Sequence, residues 1–182
     1  MLSSQQAREV LQEAELVCAA DEVQAAVSRV AREVGARLAD AHPLVLSVMG
    51  GAVVFTGQLM TQLDFPLDFD YVHVSRYGSK NKGGELHWTV EPRENVAGRV
   101  VLVLDDILDE GETLAAIRQR VLELGAAEFF SAVFADKMTG KPKAAGADFV
   151  GLQVPDRFVF GFGMDVSGAW RNLPAIYAVK EE

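Results

Sequence analysis

The residues best suited to chemistry lie in one short stretch, VVLVLDDILDEGETL, at residues 100–114. Its apolar start predicts a buried strand, and the adjacent carboxylates Asp105 and Asp106 follow at the carboxyl end of that strand. Asp109 and Gly111 come next, immediately before a predicted helix. Main-chain N–H groups at a helix start bind anions, and carboxylates bind divalent metal ions or hydroxyl groups. The pattern therefore predicts a site for a phosphorylated ligand.

The same stretch also fits a structural interpretation, in which it is an acidic turn and Asp109 caps the helix. Two adjacent carboxylates after a core strand are harder to explain in that way. One of them must face the sheet, where it is costly unless a cation or hydroxyl groups satisfy it. Vicinal ribose hydroxyls bridged by magnesium would satisfy Asp105 and Asp106.

Three further segments contain candidate ligand-binding residues. The pair Gly50–Gly51 follows a short apolar strand and would let main-chain amides approach an anion, although a tight structural turn also explains it. The basic, glycine-rich segment 76–84 predicts a mobile loop or an ordinary hairpin tip. Segment 154–174 holds aromatic, acidic and basic residues that could line a site, or could serve as core and surface residues.

Alternating strands and helices must position these residues. We predict strands at 44–48, 69–74, 85–90, 99–104, 129–135, 149–150, 158–160 and 176–179, and helices at 53–63 and 113–124. Two more helices are expected within residues 3–40, one capped by Ser3 or Ser4 and one by Asp21. This alternation predicts an α/β fold with a mostly parallel central sheet flanked by helices.

Composition and charge exclude several classes of protein. The 182 residues, 49% of them hydrophobic, suit one compact domain. The net charge of −9 argues against nucleic acid as a partner, because phosphates require a basic surface. The single cysteine, Cys18, excludes an internal disulfide and fits a reducing compartment. We see no secretory signal and no membrane-length apolar run, so we expect a cytoplasmic protein without a membrane partner.

Segment 100–114 resembles the motif that binds phosphoribosyl pyrophosphate (PRPP) in type I phosphoribosyltransferases: an apolar strand, two acids, two apolar residues, then Asp, a small residue, Gly, any residue and Thr. The resemblance extends over about residues 44–180 and is strongest to the hypoxanthine-guanine phosphoribosyltransferases. It implies the type I phosphoribosyltransferase fold as a single domain over 1–182. The core would span about 40–155, with a small hood from about 1–40 and 156–182.

The resemblance also implies roles for individual residues toward PRPP. The residues implied for the ribose and its 5-phosphate are Asp105, Asp106, Asp109, Glu110, Gly111, Glu112 and Thr113. Those implied for pyrophosphate are Met49, Gly50 and Arg171. Mg²⁺ is the implied cofactor, held by Asp105, Asp106 and Asp165. Asp109 is the implied catalytic residue, a proton acceptor near purine N7.

The purine would be bound by residues from two other segments. Lys137, eleven residues before Asp148, would donate to the 6-oxo group. Phe158 would stack on the ring, and the main chain of Val159 would pair with the edge of the base. Arg76 and Tyr77 align with the flexible lid of the family. By contrast, the three histidines show no metal-binding spacing and receive no role.

The chain departs from the family pattern in the loops of this site. Glu110 stands where Thr or Ser is usual, and Glu112 where an uncharged or basic residue is frequent. We expect both side chains to point to solvent, because carboxylates facing a phosphate are unfavourable. Met49 stands where Lys or Arg is common, and Arg76 replaces the serine of the lid. The family also has a non-proline cis peptide, which would map to Val48–Met49.

The implied activity is purine salvage, in which PRPP and hypoxanthine or guanine give IMP or GMP plus pyrophosphate. Two alternatives stay open on the same fold. One is a regulator that binds nucleotide or RNA without turnover, and the other is a transferase that prefers xanthine or a pyrimidine. The expected partners are small-molecule substrates and further copies of the chain, in a homodimer or homotetramer.

Overall fold

A computed structural model of the chain describes residues 1–76 and 86–180. These residues form four α-helices and nine strands. The helices are α1 (Ser4–Glu13), α2 (Ala20–Leu38), α3 (Val53–Met60) and α4 (Glu112–Glu123). The strands are β1 (Glu15–Cys18), β2 (Leu44–Val48), β3 (Asp68–Arg76), β4 (Leu86–Val90), β5 (Val100–Leu108), β6 (Glu128–Met138), β7 (Phe149–Pro155), β8 (Val159–Phe160) and β9 (Ile176–Ala178). Most of the predicted lid, including Tyr77, lies outside the described residues.

Six strands form the main sheet in the order β4-β3-β2-β5-β6-β7. All neighbours in this sheet are parallel except β3 and β4, which pair antiparallel. The predicted α/β class with a mostly parallel sheet is therefore confirmed. The carboxyl ends of the parallel strands meet at one edge, where ligands bind in open sheets of this kind.

Helices cover both faces of the main sheet, which explains the continuous apolar run of β5. Leu102 and Leu104 pack with α2 and α3 on one face, whereas Val101 and Val103 pack with α4 on the other. All four side chains are fully buried. A strand covered on both sides cannot alternate between polar and apolar residues, so its pattern is uninterrupted.

The ends of the chain build a second, smaller antiparallel sheet in the order β1-β9-β8. The prediction that residues 3–40 are helical was wrong at β1. Glu15–Cys18 forms a strand because it pairs with Ile176–Ala178, a partner far away in the chain. Helix α2, in contrast, packs on the main sheet through buried residues such as Val27 and Val30.

The predicted helix caps are only partly correct. Ser3 caps α1 as expected, since its Oγ accepts a hydrogen bond from the Gln6 N–H at 3.2 Å. The prediction of Asp21 as the cap of α2 was wrong, because the helix begins at Ala20, two residues before the start that a cap at Asp21 would give. The N-cap is Ala19, whose N–H donates to the Glu22 carboxylate at 2.8 Å.

Two central strands run further than the apolar pattern predicted. The pairing of β5 with β6 continues through Asp105↔Val133 to Leu108↔Asp136. Asp105 and Asp106 therefore lie inside β5 instead of following it, and Lys137 lies on β6. Helix α3 ends earlier than predicted, at Met60. No helix in the described ranges is long and apolar enough to cross a membrane.

Candidate active site

An open cleft of about 440 Å³ lies at the carboxyl edge of the main sheet. The turn between β2 and α3, the end of β5 and the start of α4 all border it. Its lining includes Gly50, Gly51, Asp105, Asp106, Thr113 and Arg171. The structure thus brings together the acidic stretch, the double glycine and part of segment 154–174, which are far apart in the chain.

The paired carboxylates form the floor of this cleft. The Asp105 side chain is buried, and its Oδ1 accepts a hydrogen bond from the Asp106 N–H at 2.9 Å. Asp106 Oδ1 accepts from the Ile107 N–H, also at 2.9 Å. Within the described part of the chain, neither carboxylate lies within ion-pair distance of a basic side chain. Main-chain N–H groups therefore donate to both acids, and no described basic side chain forms an ion pair with either.

This arrangement shifts the titration of both acids in the same direction. Burial, reinforced by the charge of Asp106, raises the pKa of Asp105 well above its usual value. Burial also raises the pKa of Asp106, although hydrogen bonds and the nearby Arg171 oppose the shift. A cation or hydroxyl donors bound in the cleft would favour the ionised forms.

The turn after β2 packs directly against this acidic pair. A Cβ atom on Gly51 would lie 1.8 Å from Asp106 Oδ2, so any larger residue at this position would displace the Asp106 carboxylate. The cis peptide bond of this turn joins Met49 to Gly50, one bond later than the Val48–Met49 position that the resemblance implied.

The loop after β5 leads into α4 through a left-handed residue. Gly111 has φ of 78° and is the N-cap of α4, so the interpretation of Asp109 as the cap was wrong. As a glycine, the N-cap has no side chain to cap the helix, whose first turn opens toward the cleft beside Thr113. The side chains of Glu110 and Glu112 are exposed, as expected.

Asp109 and Lys137 form an ion pair across the ends of β5 and β6. Lys137 Nζ lies 2.8 Å from Asp109 Oδ2. The lysine side chain is only 14% exposed, whereas that of Asp109 is 50% exposed. Lys137 is therefore not an ordinary surface lysine, because its ammonium group lies at the site.

A second hollow of about 200 Å³ adjoins the main cleft. Asp109, Lys137, Phe158 and Val159 line it, and it shares Asp109 with the cleft. Phe158 is 57% exposed, so the alternative interpretation of this residue as part of the core was wrong. An exposed aromatic ring beside a donor and an acceptor suits a flat heterocycle.

Arg171 also borders the cleft. Its Nη2 lies 2.6 Å from Asp165 Oδ1, and its Nη1 donates to the Gly163 main-chain oxygen at 2.6 Å. Asp165 also accepts from the Gly168 N–H at 2.6 Å. The guanidinium is thus fixed in place while 40% of its side chain stays exposed, a state suited to binding an anion.

The donor set of the cleft fits magnesium. Carboxylate oxygen is the ligand that Mg²⁺ prefers, and protein sites usually supply one or two carboxylates while phosphates and water complete the shell. Asp105 and Asp106 match that number. The residues that the structure describes include no group of three or more potential metal ligands, so the ion would need a phosphorylated ligand to complete its coordination.

One residue of the cleft was missed by the sequence analysis. His73 lies on β3 and lines the cleft next to Val74. The spacing of the three histidines in the sequence did not indicate a site at His73, because it matches no metal-binding pattern. The carboxyl-edge rule could have found it, since β3 neighbours β2 in the sheet and ends at the same edge.

The fold and the cleft together define a phosphoribosyltransferase, and the chain belongs to the phosphoribosyl transferase family, whose domain it matches over residues 19–167. Among individual proteins, the chain is 34% identical over 161 residues to the hypoxanthine-guanine phosphoribosyltransferase of Bacillus subtilis. That match covers 88% of this chain and 89% of the relative. The predicted resemblance is thereby confirmed.

Two further comparisons extend this result. The chain is 35% identical over 163 residues to the bifunctional protein TilS/HprT of Listeria innocua, which covers 89% of this chain but only 25% of that longer protein. The crystal structure of a hypoxanthine phosphoribosyltransferase from Staphylococcus aureus has a TM-score of 0.87 at 24% identity. It covers 93% of this chain and 94% of its own, and it confirms the type I phosphoribosyltransferase fold.

Proposed function

We propose that the protein transfers the 5-phosphoribosyl group of PRPP to N9 of hypoxanthine or guanine, giving IMP or GMP and pyrophosphate. The observation that carries this proposal is the cleft in which the paired carboxylates Asp105 and Asp106 lie beside the start of α4. Membership of the phosphoribosyl transferase family and the similarity to a hypoxanthine-guanine phosphoribosyltransferase support the same activity. The reaction belongs to purine salvage.

PRPP lies across the floor of the cleft in this proposal. The ribose hydroxyls contact Asp105 and Asp106, and the 5-phosphate occupies the loop 109–113. Main-chain N–H groups of that loop donate to the phosphate, and the helix dipole of α4 adds partial positive charge. Glu110 and Glu112 contribute main-chain donors, and their side chains are exposed.

Asp105 and Asp106 would hold Mg²⁺, and Asp165 would contact a second ion or its water. When bound, the metal neutralises charge on the pyrophosphate that leaves. Arg171 donates to the same pyrophosphate, a task that its fixed guanidinium suits. Met49 and Gly50 contribute main-chain groups from the turn after β2. Because Met49 lacks a charge, Arg171 has a larger share in binding this anion.

The purine occupies the adjoining hollow, where its ring stacks on Phe158. Lys137 donates to the 6-oxo group, and the Val159 main chain pairs with the edge of the base. Adenine has an amino group at this position, itself a donor, so Lys137 disfavours it. The 2.8 Å pair of Lys137 and Asp109 supports this assignment, because O6 and N7 of a 6-oxopurine are neighbours.

The chemical step is a displacement at ribose C1. The bond from C1 to the pyrophosphate oxygen breaks as N9 attacks, through a transition state with oxocarbenium character. Asp109 accepts the proton at N7, or a hydrogen bond from it, as the lone pair of N9 forms the new bond to C1. The chain thus orients both reactants and receives the proton that the purine loses.

The remaining assignments complete the proposal. The chain acts as one domain over 1–182, with the small sheet as its hood, and Arg76 and Tyr77 belong to a lid that excludes water. We also propose a homodimer or homotetramer with small-molecule substrates. A cytoplasmic location is consistent with the single cysteine, because free thiols persist in reducing compartments.

The decisive experiment is a spectrophotometric assay with PRPP, Mg²⁺ and, separately, hypoxanthine, guanine, xanthine and adenine. We expect IMP and GMP to form, and little AMP. Nucleotide formation from xanthine above that from the other bases would favour the xanthine-preferring alternative. Nucleotide binding without any turnover would contradict the enzyme and favour a regulator.

A further inference from the structure

The side chain of Lys143 is largely buried beneath the loop that contains Asp109. Only 17% of it is exposed, and its Nζ donates to the main-chain oxygen of Leu108 at 2.7 Å. The same ammonium group forms an ion pair with the Asp136 carboxylate. Lysine normally keeps its charged end in water. Its burial with two acceptors therefore indicates a specific structural contact.

The two acceptors lie opposite each other at the ends of two strands. Leu108 and Asp136 are register partners in the pairing of β5 with β6. Leu108 is also the last residue of β5, and its carbonyl belongs to the peptide bond that leads into Asp109. The ammonium group thus fixes the peptide from which Asp109 projects.

The residues after Lys143 continue this contact along the loop. The Ala144 N–H donates to the Glu110 main-chain oxygen at 2.9 Å. A Cβ atom on Gly111 would lie 2.7 Å from the Ala145 main-chain oxygen, so the two backbones touch. We call residues 143–145 the brace. Its three consecutive residues contact Leu108, Glu110 and Gly111, on both sides of Asp109.

We propose that Lys143 is a positioning residue that, through the brace, holds Asp109 and the phosphate-binding loop in their working orientation. It does not touch the substrates. This inference rests on the proposed function, since Asp109 and the loop have their roles only in that reaction. A displacement of the loop by about 1 Å is enough to lower turnover by about 100-fold.

Replacement of Lys143 by Met tests the proposal, because it keeps the side-chain length and removes the ammonium group. We expect Lys143→Met to lower kcat about 10- to 100-fold and to raise the KM for PRPP, with the KM for hypoxanthine within about twofold. Lys143→Arg should restore part of the kcat. The matched control is Lys180→Met, the same change at an exposed position, which should leave both constants unchanged.

A second measurement does not depend on activity. Amide hydrogen exchange of residues 105–115 in the ligand-free protein should be about tenfold faster in Lys143→Met, and unchanged in Lys180→Met. Wild-type kcat and wild-type exchange in Lys143→Met would overturn the proposal. A lower melting temperature with unchanged kcat per folded molecule would likewise reduce Lys143 to a purely structural residue. If the wild-type protein forms no nucleotide, the proposed function fails, while the exchange result still tests the brace.

Discussion

The two edges of the main sheet contain carboxylates in opposite electrostatic states. At the amino edge of β3, Asp68 accepts a hydrogen bond from Arg99 at 2.8 Å and lies 3.5 Å from His42. The hydrogen bond from Arg99 lowers the pKa of Asp68. At the carboxyl edge, the buried Asp105 lies beside the half-buried Asp106, and burial raises the pKa of both.

The difference separates a structural role from a functional one. The protein itself neutralises Asp68, so this carboxylate needs nothing from outside. By contrast, neither Asp105 nor Asp106 forms an ion pair with a described basic side chain. The carboxylate form of both residues is nevertheless costly at this position. Acids kept in such a state are typical of sites that a ligand completes. Substitutions at the two edges should therefore affect different properties.

The largest effect should come from Asp109→Asn at the carboxyl edge. An amide cannot accept the proton from purine N7, so we expect kcat to fall about 10- to 10⁴-fold. Steady-state assays with guanine and PRPP would measure this loss. Asp40→Asn, the same change at an exposed position, should leave kcat unchanged. Near-normal turnover in Asp109→Asn would eliminate the proton-acceptor role.

The next effect concerns selectivity within the same edge. Lys137→Ala removes the donor to the 6-oxo group, and a lost hydrogen bond to a charged group weakens binding about 10- to 100-fold. We expect the KM for guanine to rise by that amount, and the KM for PRPP to change much less. The KM for guanine would be measured at saturating PRPP, and the KM for PRPP at saturating guanine. Equal losses for both substrates would contradict a role in recognising the base.

Asp105→Asn should improve stability although it removes one of the acids proposed to contact the ribose hydroxyls and Mg²⁺. The raised pKa means that the ionised form is disfavoured in the folded state, so this acid stabilises the fold at low pH and loses that contribution as the pH rises. The variant should therefore be more stable than the wild type from pH 4 upward. Near neutrality we expect the difference in the free energy of unfolding to be about 1 kcal/mol, or roughly 2–4 °C in Tm. Calorimetry of the ligand-free proteins checks this. If the variant were less stable than the wild type at pH 8, ionised Asp105 would not be destabilising, and the proposed difference between the two edges would be wrong.

The smallest effect should come from Asp68→Asn at the amino edge. The lowered pKa means that ionised Asp68 stabilises the fold above its usual pKa of 3.8 and that this contribution is lost as the pH falls. We expect a slightly lower Tm at pH 7, no difference under strongly acidic conditions, and unchanged kcat. Because the pair is exposed, added salt should shrink the effect. A loss of turnover in this variant would show that the amino edge is not purely structural.

Local patterns predicted the main sheet and its helices well. The spacing of the apolar residues of α2, all facing one side, located that helix, and the apolar run of β5 located the central strand. Patterns failed where a distant partner decided the outcome. Strand β1 exists because Glu15–Cys18 pairs with β9, and β5 extends to Leu108 because β6 continues to pair with it.

The amino-acid sequence by itself determined which chemistry is present. Paired acids after an apolar run and glycines before helices are local features, since propensity and pattern act over a few residues. Only the tertiary structure decided how these groups meet. It paired Lys137 with Asp109 and placed Lys143 under Leu108, because strand register and loop packing depend on contacts between residues far apart in the chain.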